Sequence, residues 1–347
     1  MIKAKLITEK CSDLKVVNSA RVSMKVSHPV FQDPGDTKLI NYLAKHAHWT
    51  PFSHNRDIIF LKSNSALMKT ILFSLSVEEK ASMVIQRFSD INGEPYIAIK
   101  TSFYGWVNIA KSFKDTYIDK DGETLETILS VLYHKYPVSF KAYFDDTFID
   151  YFSQEMYNLN QDILRASLPY LREEMFDITF YETVPIFVAR QRFKHMVMNT
   201  YNEVSKRYVD DTPEIYFPDI WRLRPDKSIK QGSGGDHPET DVLSKEYEEF
   251  SKICLNYYDK LINVDKVAPE QARMVLPQSM MTEYYVTANI TAWDRFIKQR
   301  TYSGAQKEIR DLAEIVNKDL MQIKSIINDM RMNGALTWEN LETIGVF

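Results

Sequence analysis

The chain has 347 residues, 44% hydrophobic and 26% charged, a soluble globular balance long enough for one large domain or two. Its formal net charge of -4 gives no global cationic field for nucleic acid, so any anion site must be local. No apolar run approaches the ~20 residues of a membrane span, and the N-terminus MIKAKLITEK lacks the apolar core of a signal peptide.

In chain order, Ile2 to Ile7 alternates as a strand does, and Asp33-Pro34-Gly35-Asp36 marks a turn. Lys38 to Ala47 is predicted helical and runs into His46-Ala47-His48-Trp49-Thr50-Pro51-Phe52-Ser53-His54. Those histidines have no Asp, Glu or Cys completing a ligand set, so no metal site is expected. Ser76-Val77-Glu78-Glu79 is a capping-box pattern opening a helix with Met83, Val84 and Phe88. Thr124 to Tyr133, Phe140 to Phe152 and Met156 to Leu171 are each predicted as amphipathic helices. Cys11 and Cys254 lie far apart with no CxxC, which argues against a disulfide framework or zinc site and fits a reducing cytoplasm.

The stretch Pro185 to Tyr208, PIFVARQRFKHMVMNTYNEVSKRY, is the most informative. Its first half reads as a helix on Ile186, Phe187, Ala189 and Phe193. Arg190, Gln191, Arg192, Lys194 and His195 crowd around them. Asn202, Glu203, Ser205, Lys206 and Arg207 follow. Several cations beside short polar groups suit a phosphorylated ligand, because guanidinium groups grip phosphate oxygens in a fork. The same stretch also reads as a surface helix with a solvated basic face. Residues 209–240 are loop-like, with Pro213, Pro218, Pro225 and Gln231-Gly232-Ser233-Gly234-Gly235. Val242 to Ile262 is a strong amphipathic helix that places Cys254 on its apolar stripe. Pro269 opens another helix, and Ala305 to Met330 reads as a long one.

NEVSKRY, with Lys194-His195-Met196 before it, resembles the signature of the flavin-dependent thymidylate synthases (the ThyX family), as does the approach PIFVARQ. SARVSM and HWTPFSH resemble family segments near the N-terminus, and ARMVLPQSMMTEYYVTAN resembles a third. Asn289, Arg295, Arg300, Ala305, Gln306 and Glu308 follow with the family's spacing. The resemblance implies an α+β, ThyX-like fold with a mixed sheet and long helices. Residues 1–54 and 176–347 would form the catalytic domain, with 55–175 a mainly helical insertion that packs on the scaffold or builds an oligomer contact.

It also implies methylation of dUMP to dTMP from methylenetetrahydrofolate, with FAD and NADPH as redox cofactors, in a homotetramer. Arg300 would be the catalytic cation on the uracil, where electrostatic stabilisation is a large term. Gln191, Glu203, Ser205, Lys206, Arg207 and Arg273 would bind the nucleotide. Ser23, His48, Thr50, Lys194, His195, Asn202, Asn289 and Arg295 would meet flavin or folate. Asn289 and Arg300, eleven residues apart, are expected to face one cleft. No cysteine lies in any matched motif, consistent with a family that uses no cysteine nucleophile.

The departures fall on the flavin side. Lys194 and Met196 stand where the family has two arginines, and Arg192 or Arg295 is expected to supply the missing charge. Two further readings follow from these departures. One is methylation or hydroxymethylation of another pyrimidine nucleotide; the other is a nucleotide-binding paralogue without redox function.

Overall fold

Among the described residues, seven strands build two sheets. β1 (Lys3–Ile7) is followed by two helices, α1 (Asp13–Arg21) and α2 (Gly35–Lys45). Then come β2 (Arg56–Lys62), β3 (Val84–Ser89), β4 (Pro95–Ser102) and the helices α3 (Phe103–Thr116), α4 (Glu123–Lys135), α5 (Pro137–Tyr143) and α6 (Gln154–Ser167). The last part holds β5 (Asp177–Pro185), α7 (Ile186–Arg192), β6 (Asn199–Glu203), α8 (Thr240–Asn263), α9 (Pro269–Ala272), β7 (Met281–Asn289), α10 (Ile290–Arg300), α11 (Lys307–Met332) and α12 (Trp338–Thr343). This computed structural model describes residues 1–346 other than 64–67, 70, 72, 74, 76–82, 90–92, 94, 117–121, 208–210 and 228–231. The capping-box pattern at 76–79, Gln231 and Tyr208 therefore lie outside the described residues. No described helix is long and apolar enough to cross a membrane, and no metal-binding group of His, Cys, Asp and Glu is found among the described residues.

The first sheet runs β1-β5-β7-β6 and the second β2-β4-β3. The α+β class holds, but the expected mixed sheet is corrected: among the described residues every strand pairing is antiparallel. Two predicted elements also change. Val84 and Phe88 lie in a strand, because alternate side chains of Val84–Ser89 find apolar surface on both sides of the sheet, which overrides the helical pattern. The predicted 140–152 helix ends at Tyr143 and continues as a 3-10 turn, Asp146–Tyr151. The side chain of Asp145 caps that turn by accepting from the Thr147 N–H.

Besides its four helices, the 55–175 segment carries a whole sheet. That sheet is a partition. Ile58, Phe60, Val84 and Ala98 face one core with Phe180, Val286, Trp293 and Leu312. Ile59, Leu61, Ile97 and Ile99 face the other, with Val16, Val17 and Ile40 from α1 and α2, Phe52 from the 3-10 turn Pro51–His54, and Trp106 and Leu129 from α3 and α4. The strand period of two delivers each set to its side.

A polar tie reinforces the join. Arg56 and Lys100, both buried, share the buried carboxylate of Asp177 at 3.4 and 2.8 Å. Arg56 also donates to Thr200 Oγ1 (2.9 Å) and to the Met198 carbonyl (3.2 Å). Lys100 donates to the Glu174 carbonyl. Burial pulls its ammonium down to about 8, with Arg56 pushing the same way and Asp177 against.

Candidate active site

β6 separates two kinds of chemistry. Its register against β7 is Thr200↔Thr287, Asn202↔Tyr285 and Glu203↔Tyr284. Thr200 and Asn202 point to one face of the sheet, and Asn199, Tyr201 and Glu203 to the other.

On the first face, buried His54 bridges the sheet. Its Nδ1 lies 2.7 Å from Thr287 Oγ1 and its Nε2 3.2 Å from Asn202 Oδ1. Burial, then Lys15 and Arg56, pushes its pKa down to about 3, so the ring stays neutral. An amide oxygen only accepts, so Nε2 carries the proton and Nδ1 accepts from the threonine. Asn202, expected to meet a cofactor, is thereby oriented by His54. The 3-10 turn holding Ser23 packs here too: the Ser205 N–H donates to the Ser23 carbonyl at 3.0 Å, while Ser23 Oγ donates to Ala20 O. Thr50 leads into the turn Pro51–His54, and exposed His48 stands edge-on to Tyr42.

On the second face, α7 follows directly from β5. Pro185 ends the strand in extended backbone and serves as the helix N-cap. Helical spacing then turns Arg192 inward. It is wholly buried, its Nε 3.2 Å from both Glu182 oxygens, its Nη1 donating to Tyr201 Oη at 2.6 Å, its guanidinium over Phe296 and Trp293. The expectation that Arg192 or Arg295 supplies the missing flavin-side charge is corrected for Arg192: this cation is committed to the core.

Beside it, Arg300 Nε donates to His195 Nε2 (3.0 Å), and Arg300 Nη2 donates to the Gln191 carbonyl (3.3 Å). Burial first, then Arg192, Arg300 and Arg295, takes His195 down to about 4. A guanidinium only donates, so neutral His195 accepts at Nε2 and holds its proton on Nδ1. Gln191 Nε2 donates to Gln306 Oε1 (2.5 Å), Gln306 Nε2 to Glu308 (3.0 Å), and Arg222 Nη2 to both Glu308 oxygens at 2.8 and 3.0 Å. These polar links border a cavity of about 490 Å³ walled by Phe187, Tyr216, Trp221 and Tyr247. Glu203 accepts from Thr282 Oγ1 at 2.6 Å; burial pushes its carboxyl up, against that bond and the charge of nearby Arg273.

The remaining predicted residues are placed as follows. Arg273 begins a 3-10 turn after α9, exposed, its Nε donating to the Glu270 carbonyl. Arg207 is exposed, its Nε donating to Ser205 Oγ at 3.4 Å. Lys206 is buried and paired with Asp211, so its amine is already satisfied within the chain. Lys194 and Met196 are exposed on the turn after α7, and Arg295 reaches that turn, donating to the Val197 carbonyl at 2.8 Å. Asn289 and Arg300 stand at the two ends of α10, about 16 Å apart at 1.5 Å per residue. Asn289 caps α10 through Ala292 N (2.8 Å) and donates to Glu174 O (3.1 Å).

The His54 bridge and the Gln306–Glu308–Arg222 chain were not assigned from the sequence. Glu308 sits 86 positions from Arg222, and His54 sits 148 from Asn202. Only the histidine adjoining Ser53 and the spacing of Gln306 and Glu308 hinted at them.

Residues 171–323 match the family model described as "Thymidylate synthase complementing protein". A flavin-dependent thymidylate synthase from Aquifex aeolicus is 31% identical over 311 residues, covering 88% of this chain and 93% of that protein. The enzyme of the same name from Kosmotoga olearia is 36% identical over 170 residues, covering 48% of this chain and 72% of its own length. A solved UMP/dUMP methylase from Streptomyces cacaoi, bound with 5-Br UMP, aligns over 99% of this chain and 95% of its own at 17% identity and a TM-score of 0.42. With near-complete mutual coverage by the Aquifex enzyme, and with the signature's Gln191, His195 and Arg300 joined in one cluster, the chain belongs to the flavin-dependent thymidylate synthase family.

Proposed function

We propose that the protein methylates dUMP at C5 to give dTMP, with methylenetetrahydrofolate as the one-carbon donor and NADPH restoring the reduced flavin. The observation that carries this reading is the Arg300–His195–Gln191 cluster. Uracil C5 is a poor nucleophile, and a cation fixed against the ring oxygens draws charge onto them as C5 attacks. Neutral His195 holds the plane of the guanidinium without competing for its charge. Arg207, Arg273 and Ser205 supply donors for the phosphate. Cys11 and Cys254 have no part in this step.

FAD, when bound and reduced by NADPH, would supply the electrons that turn the transferred carbon into a methyl group. The donor set suits its diphosphate: Lys194 and Arg295 are exposed cations at one turn, and Arg295 makes good the charge lost at Met196. Ser23, Thr50 and Asn202 lie across the sheet from Arg300. A cleft holding both ligands therefore draws its two sides from different copies, in keeping with a homotetramer. Exposed Phe250, Ile253 and Tyr257 on one stripe of α8 suit such a contact. On this reading 55–175 is a packed structural partner of the motif-bearing parts, and the enzyme works in the cytoplasm.

Product analysis tests the proposal. Purified protein given FAD, NADPH, methylenetetrahydrofolate and, in parallel, dUMP, UMP or dCMP is expected to form dTMP from dUMP. A methylated product from another nucleotide alone would favour the second reading. Tight nucleotide binding with no flavin absorbance after excess FAD would favour the redox-inactive one.

Arg207→Ala and Arg273→Ala are each expected to weaken nucleotide binding by about 1.5–3 kcal/mol, the scale of a charged hydrogen bond, and to flatten its salt dependence. Calorimetric titration at two salt concentrations measures both. Unchanged affinity in both variants would place the phosphate elsewhere.

A further inference from the structure

A glutamine facing a pyrimidine is ordinarily a permissive reader. Its amide can rotate by half a turn, offering a carbonyl to a ring N–H or an N–H to a ring nitrogen. Here the rotation is blocked from a distance. Glu308 is almost wholly buried and takes Arg222 Nη2 on both oxygens at 2.8 and 3.0 Å. A carboxylate paired in this way only accepts. The Gln306 group 3.0 Å from it must therefore be the NH2, and Gln306 Oε1 is turned the other way. That oxygen also only accepts, so the Gln191 group 2.5 Å from it must again be the NH2. Polarity set by one ion pair thus passes through two amides. It leaves the Gln191 side-chain oxygen as an acceptor, on the residue whose main-chain carbonyl anchors the Arg300 guanidinium.

We infer that Arg222, Glu308 and Gln306 are positioning residues that lock Gln191 as a hydrogen-bond acceptor, so that the site takes a pyrimidine with a ring N3–H and an acceptor oxygen and rejects one with the reverse pattern. The inference rests on the nucleotide reading of Gln191 and Arg300 given above. Uracil offers N3–H to the carbonyl of Gln191 and an oxygen to Arg300. Cytosine turns a lone pair toward that carbonyl and an amino group toward the cation, so both contacts become repulsive. An unlocked Gln191 would rotate and restore one of them. The lock removes that escape, because rotating Gln191 would set two carbonyl oxygens against each other or require Gln306 to turn its oxygen onto a carboxylate.

The test measures affinity for dUMP and dCMP on intact protein, in wild type and in Glu308→Gln, which keeps the shape and can donate as well as accept. Wild type is expected to prefer dUMP, and the variant to lose about tenfold of that preference, the worth of one uncharged hydrogen bond. A merely structural role would lower both affinities together and leave their ratio unchanged. Gln306→Met breaks the chain without touching the ion pair, so it carries the test if Glu308→Gln fails to fold; the same loss of preference is expected. Folded variants that keep the wild-type ratio overturn the lock alone. A wild type that binds the two nucleotides alike overturns the nucleotide reading beneath it as well.

Discussion

Arg300→Ala is expected to lower turnover of dUMP about 100- to 1,000-fold, the usual cost of losing one fixed donor to a developing negative charge. The side chain is only part-buried and ends α10, and its partners are the His195 ring and a main-chain carbonyl, so removing it opens no large hole. The melting temperature is therefore expected to stay close to wild type. Arg300→Lys keeps a charge but loses the fork and cannot reach His195 and Gln191 together, so little activity should return. The measurement is dTMP formation beside a thermal melt. A folded Arg300→Ala protein with near-normal turnover would remove the cation from the mechanism.

Asp177→Ala is expected to cost about 3–5 kcal/mol of folding stability, the cost of breaking a buried pair from one side. Two cations share this carboxylate, and the Arg56, Lys100 and Asp177 side chains are 1%, 0% and 5% exposed. Removing Asp177 strands both charges between the two cores. Adding Lys100→Met to Asp177→Ala should recover part of the loss, since Lys100 is the deeper cation and burial already disfavours its charge. Urea unfolding of the single and double variants decides it. A loss below about 1 kcal/mol would mean that water or relaxation satisfies the cations. The same geometry bears on excising 55–175: the cut would take Arg56 and Lys100 away from Asp177 and bare Phe180 and Val286 to water.

Much of the site was legible because its residues are close in sequence. The 185–207 stretch puts Gln191, His195, Glu203, Ser205 and Arg207 within one helix, one short strand and the turns that flank that strand. What the sequence cannot disclose is which cations are already taken. Arg192 and Arg295 look equivalent as letters, yet helical phase carries Arg192 onto Glu182 and leaves Arg295 at the surface. Lys206 reads as a phosphate ligand in the sequence, yet in the fold Asp211 lies against it. Asn289 stands at a helix start and does what asparagine does there. The sheet in 55–175 was missed because residues apolar on both faces carry no clean alternation, a strand signal that needs one wet face to be readable.

The alternation along β6 has a consequence for its register against β7. Asn199, Tyr201 and Glu203 are held on the Arg192 and Thr282 side, Thr200 and Asn202 on the Arg56 and His54 side. A slip of β6 by one place against β7 would exchange all five side chains between faces. Asn202 would trade surroundings with Glu203, and the acidic and amide groups would meet the wrong ligands even with every hydrogen bond of the ladder intact. The register of β6 against β7 is therefore itself part of the site, a property that no single-residue substitution scan would reveal.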